Sequence, residues 1–185
     1  MAVRELNKVE GMLTMKDKLP RDRYVVRCTE EEFGESKSSG NSMITRTWEI
    51  VHPDSVQING EAKIIAGLEV KQYLPTIVFD KEGERDDEKS DKALARIRDE
   101  NSNLGLPCDV IDDENPALVA KGVIADAILS CEESKQFKSP TPEQTAKGQK
   151  YGDPIKDDAG KDVIVHRIKL DSILGRSSME INKPF

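Results

Sequence analysis

The sequence predicts a mainly β protein with minor α content, and three observations carry that prediction. Apolar and polar residues alternate at period two in five separate stretches. Glycine, proline and asparagine clusters punctuate the chain between them. One intervening stretch, between the third and fourth alternating runs, spaces its apolar residues for a helix instead.

The first strand is expected at Asp22 to Glu30, with Tyr24, Val26 and Cys28 on one face and Arg23, Val25, Arg27 and Thr29 on the other. The polar turn Lys37-Ser-Ser-Gly-Asn-Ser42 follows, and Ser39-Gly40-Asn41 suits a hairpin loop. The second strand, Met43 to Val51, is the clearest: Ile44, Trp48 and Ile50 share one side, while Thr45, Thr47 and Glu49 share the other. His52-Pro53-Asp54 ends it, because proline supplies no donor and restricts the residue before it. A turn at Asn59-Gly60 leads to a third strand over Ala62 to Tyr73, in which Ile64, Ala66, Leu68 and Val70 face one way and Gly67 marks a bend.

After Pro75 the apolar stub Thr76–Phe79 passes into the acid- and lysine-rich run Asp80 to Lys92. Leu94 and Ile97 at i, i+3 predict a short helix over Asp91–Asn101, stopped by Asn103-Leu104-Gly105 and Pro107. Asn115-Pro116 reads as an N-cap and first helical position for one turn at Ala117 to Lys121. A fourth strand follows at Val123 to Ser130, with Val123, Ala125, Ala127 and Leu129 on one face. Residues 131–160, rich in Ser, Thr, Pro, Lys and Gly, predict a long exposed loop. The fifth strand is expected at Lys161 to Leu170, with Ile164, Ile168 and Leu170 inward and Arg167 and Lys169 outward.

A chain of 185 residues can bury one sizeable core, and 36% apolar against 34% charged residues leaves room for solvated loops around it. The expected layout is an N-terminal arm over 1–18, one domain over 19–174 carrying an acidic helical insert at 76–115, and a tail over 175–185. The net charge of -7 lies in that insert, where 13 acidic face 6 basic side chains. Cys28, Cys108 and Cys131 are widely spaced and odd in number, which predicts reduced, buried thiols and no metal site. No apolar run reaches membrane-spanning length and the N-terminus lacks a signal-peptide core. A cytoplasmic protein is expected, in the host cytoplasm if the chain is viral.

Strand, strand, strand, helix, strand, strand is the order of the OB-fold, a five-stranded Greek-key barrel with a helix between strands three and four. The outward strand faces would then offer Arg27, Thr45, Thr47, Lys63, Lys71, Tyr73, Arg167 and Lys169. Cations that meet phosphates, with hydroxyls and an aromatic ring for bases, are what a single strand needs. The plainer reading is that these are the solvated sides of strands. Arg46 joins the set as a further cation. Trp48 joins it as a stacking candidate, although its face, shared with Ile44 and Ile50, favours the core.

Leu-Pro-x-Asp-x-Tyr-x-Val at 19–26, Ser-Lys-Ser-Ser-Gly-Asn-Ser-Met at 36–43 leading to Trp-Glu-Ile-Val, Leu-Gly-Leu-Pro at 104–107 and Lys-Gly-Val-Ile-Ala at 121–125 resemble a family of bacteriophage single-stranded-DNA-binding proteins of the OB-fold type. The resemblance implies coating of single-stranded DNA in phage replication or recombination, largely without sequence specificity. It brings no catalytic residues. The rival class is a phage structural or decoration protein that uses a small β-barrel for protein contacts.

No phosphate-binding Gly-rich loop, His-Glu-x-x-His or Gly-x-Ser-x-Gly motif is present, so no enzyme and no cofactor are expected. His166 reads as a strand residue with a polar contact, and Asp109, Asp112, Asp113 and Glu114 as an acidic turn. The chain ends on Pro184-Phe185, which resembles the tip by which bacterial single-strand-binding proteins dock partner enzymes, and this makes replication or recombination proteins the candidate partners. Glu180 is the only nearby acid and Lys183 opposes it, so an ordinary frayed terminus is the competing reading. Charge reversal at Lys63, Lys71 or Arg167 is expected to weaken binding, and the loops Glu35–Ser42 and Cys131–Lys156 to close on a bound strand.

Overall fold

In the computed structural model, which describes residues 11–179, β1 (Asp22–Glu35) and β2 (Ser42–His52) form a long antiparallel hairpin. Gly40 turns it at φ 70, and Ser36 N–H donates to Asn41 O at 2.8 Å. β1 is longer than its alternation alone marks, because beyond Glu30 it stays paired with β2, which pairs in turn with Glu69–Ile77 over a second cluster of Ile44, Leu74 and Ile97. A bulge between Cys28 and Glu30 resets the faces of β1, so that Cys28 and Glu31 both point inward.

The expected third strand is two pieces. Beyond Pro53 the chain makes the small hairpin β3 (Ser55–Ile58) and β4 (Glu61–Ile64) around Asn59-Gly60, both at positive φ. It then turns through Ile65–Leu68 before entering β5 (Glu69–Ile77). Gly67, at φ 86, donates to Ile50 O at 2.9 Å and makes the break that a bend there predicts. The turn also changes the expected face at its start, since Ile65 is fully buried and Ile64 is 41% exposed, while Leu68 and Val70 are buried as expected.

Helix α1 (Asp87–Asn103) starts a turn before Asp91, because Asp86 accepts from Lys89 N–H as N-cap and Asp87 and Glu88 suit the positive end of the helix. It ends at Leu104, with Gly105 at φ 66, as the Asn103-Leu104-Gly105 stop predicts. The predicted turn of helix at 117–121 does not form. Asp112 caps Glu114 and Asn115 N–H instead, and Ala120 N–H donates to the Glu31 carboxylate at 2.7 Å rather than to a helical carbonyl.

β6 (Ile124–Lys135) buries Ala125, Ala127 and Leu129 as its alternation predicts, and it runs five residues into the expected loop. That loop is less irregular than its composition suggests. It carries the short helix α2 (Pro142–Ala146), capped by Thr141 and Gln144, and Gln136–Lys138 exchanges hydrogen bonds with Asp153–Ile155. β7 (Ile164–Arg176) continues into the expected tail; Ile168 and Leu170 pack against the core as expected, Val165 is buried and Ile164 exposed, and two bulges between Leu170 and Gly175 flank Ile173, which enters the core. Residues 180–185, including Pro184 and Phe185, lie outside the described residues.

The sheet order is β5-β2-β1-β6-β7, all antiparallel, and β5 and β7 stand at its two edges. The sheet is not closed into a barrel by hydrogen bonds between them. Two other elements occupy that side. The Gly11–Met15 segment, expected within a loose arm, exchanges hydrogen bonds with Ile64, and Met15 O accepts from His166 N–H on β7 at 2.7 Å. Met12 and Leu13 are buried as a result. Helix α1 packs on β5, placing Ile97 and Leu94 against Ile44, Leu74 and Phe33, while Leu104 enters the main core with Trp48, Val26 and Ile173.

Candidate nucleic-acid interface

Cross-strand register sorts the middle of the sheet into rows of side chains. Glu31, Arg46 and Gln72 form one row, turned inward. Glu32, Thr45 and Tyr73 form the next, turned outward, and Glu30, Thr47 and Lys71 form another. The first of these outward rows, with Lys71 from the second, floors a groove of about 710 Å³. Thr45, Lys71 and Tyr73 line it from the strands, Lys37 from the β1–β2 turn, and Lys150 from the β6–β7 connection. Glu32 and Glu35 line it too. Tyr73 is 57% exposed, so a ring face is open to solvent in the groove.

Three of the sequence-derived candidates therefore meet, and the others do not. Arg27 is held by Glu49 at 2.6 Å on the same outward face. Thr47 is buried between its neighbours, and its carbonyl accepts from the Thr29 hydroxyl. Lys63 sits on the separate β3–β4 hairpin, paired with Glu61 at 3.0 Å, which holds its ammonium above the usual lysine range. Arg167 lines a different crevice, with Glu69, His166 and the Leu13–Met15 segment. Lys169 lies on edge strand β7, 3.9 Å from Asp171.

Arg46 and Trp48 are corrected outright. Arg46 is fully buried: Nε donates to Glu31 at 2.8 Å, Nη1 to Glu100 at 2.6 Å and Nη2 to Asn101 at 2.7 Å. Trp48 is fully buried as well, and its indole N–H donates to Gln72, whose amide in turn donates to Glu100 at 2.7 Å. Neither can touch a nucleic acid without unfolding the sheet around it. The network is what a buried guanidinium requires, since each of its three nitrogens meets an acceptor.

Lys37 and Lys150 escape a strand-based reading because they sit on loops, although both loops are expected to close on a bound strand. A second aromatic site is likewise invisible to it. Phe137 and Tyr151 stack at 5.4 Å between ring centroids on the β6–β7 connection, both exposed, with Lys150 Nζ 5.7 Å from the Tyr151 ring centre. A hydrophobic residue in a Ser/Thr/Pro/Lys-rich stretch is the available signal.

The histidine and cysteine expectations hold only in part. His166 Nδ1 has no hydrogen-bond partner among the described residues, and the Glu133 carboxylate stands 3.9 Å away. All three cysteines are free thiols, but only Cys28 is buried, where desolvation pushes its pKa up to about 12. No helix among the described residues is long and apolar enough to cross a membrane. Comparison with protein-family models, curated proteins and solved structures found no match.

Proposed function

We propose that the groove over β2 and β5 binds single-stranded DNA, and that the protein coats such strands in phage replication or recombination. The observation that carries this is the convergence of Thr45, Lys71 and Tyr73 with Lys37 and Lys150, which supplies hydroxyl, ring and three cations in one open channel. We take the sheet to be an OB barrel parted between its third and fifth strands. The order third, second, first, fourth, fifth is what a Greek-key barrel yields when cut there, and in that fold the second and third strands with the loops joining strands one to two and four to five form the binding cleft. The groove is built from those same parts.

The test is anisotropy of a labelled single-stranded oligonucleotide titrated with protein at low and high salt, with duplex as control. Trp48 is sealed in the core and is a poor reporter, so the label belongs on the DNA. Tight, salt-sensitive binding of the single strand is expected. Absence of binding at low salt overturns the proposal and favours the rival, a barrel used for protein contacts, which the two groove glutamates and the net charge of -7 suit.

A further inference from the structure

We propose that Glu32 makes the groove prefer cytosine and adenine, whose exocyclic amino group stands where thymine has a carbonyl, over thymine; this rests on the binding reading above. Glu32 lies directly opposite Thr45, and Thr45 directly opposite Tyr73, so carboxylate, hydroxyl and ring form one line across three adjacent strands on the outward face. With strands about 4.8 Å apart, that line is roughly 10 Å long. A base stacked on the Tyr73 ring therefore has its hydrogen-bonding edge within reach of Thr45 and Glu32.

The charges orient the strand. A carboxylate in the floor of a phosphate-binding channel repels the backbone, whereas Lys37, Lys71 and Lys150 attract it. The sugar-phosphate chain accordingly follows the lysines and the base edges turn toward Glu32. An ionised carboxylate only accepts hydrogen bonds. Cytosine offers its N4 amino group and adenine its N6 amino group, while thymine presents the O4 carbonyl at the equivalent place and holds its one edge donor, N3–H, between two carbonyls that repel the carboxylate. Thr45 does not discriminate, since a hydroxyl serves either partner.

The experiment compares oligo-dC, oligo-dA and oligo-dT of one length by competition anisotropy at fixed low salt, on the wild type, Glu32→Gln and Glu35→Gln. The dC and dT pair is decisive, because the two pyrimidines present rings of the same size to Tyr73. The wild type is expected to bind dC about tenfold tighter than dT, within the range that a well-placed base contact gives. In Glu32→Gln the preference should fall to within about twofold and affinity for dT should rise, because an amide can donate to O4 as well as accept. Glu35→Gln removes the same charge from the same groove off the row, so it should strengthen all three and leave their ranking unchanged. Equal affinities in the wild type, or an unchanged ranking in Glu32→Gln, overturn the selection and leave the groove standing. If none of the three oligonucleotides binds, the groove reading falls and the selection with it.

Discussion

Arg46 on β2 and Glu100 on α1 meet at 2.6 Å with the guanidinium wholly out of solvent, so one ion pair fastens the helix to the sheet. The same guanidinium meets Glu31 of β1, and removing it would leave two carboxylates buried without their cation. Arg46→Ala is therefore expected to destabilise the fold by about 3–5 kcal/mol in denaturant titration. A variant that unfolds like the wild type yet loses DNA binding would return Arg46 to the groove.

Lys71 is the strand cation that the groove retains, and its charge reversal should weaken single-strand binding without loss of stability. The slope of log affinity against log salt should become shallower by about 0.7 for each phosphate that is no longer neutralised. Lys63→Glu and Arg167→Glu, which change charge outside the groove, should bind within about twofold of the wild type, because the groove lysines still meet every phosphate. Equal losses in all three variants would mean that the binding face extends beyond the groove.

Tyr73→Ala removes an exposed ring, so folding should be untouched while affinity drops by about 1–3 kcal/mol if a base stacks there. Tyr151→Ala tests the second ring pair in the same assay. A Tyr73→Ala protein with full affinity would show that the strand bypasses β5.

Alkaline pH should expose the core. Tyr24, buried by desolvation and donating to Pro20 O at 2.7 Å, is pushed up to about 12, as is the Cys28 thiol. Both groups stay neutral in the folded state after their unfolded counterparts have ionised. Their contribution is complete below the ordinary thiol pKa of 9.0 and the ordinary phenol pKa of 10.0, and it is lost as pH climbs toward 12. Chemical denaturation followed from pH 8 upward should show falling stability from about pH 9, steepening beyond 10. A flat profile would mean that neither group is as sheltered as its burial implies.

The strands with one face on the core were legible because burial enforces alternation: Tyr24, Val26 and Cys28, or Ala125, Ala127 and Leu129, can be read directly. Arg46 was legible in principle, since it falls at period two between Ile44 and Trp48. A charge on that face reads as outward when no partner is visible nearby in sequence, and Glu100 lies 54 residues away. The bulge after Cys28, the turn at Ile65–Leu68 and the two bulges along β6 and β7 each insert a residue that no alternation count anticipates. Of the groove, the strand residues could be read and both loops could be named, but not which loop residues enter it, because Lys37 and Lys150 owe their positions to turns rather than to a periodic face.

The hydrogen bond from His166 N–H to Met15 O joins segments 151 residues apart, the earliest described part of the chain and its last strand. During synthesis the Gly11–Met15 segment can pair with Ile64 early, but its bond to His166 waits until β7 has left the ribosome, so the seam between the sheet edges can only close last. Until then β6 and the apolar side of β1 are open to any other chain nearby. A nascent protein stalled before residue 164 should accordingly be protease-sensitive and prone to aggregate, however complete its β1–β2 hairpin and α1 have become.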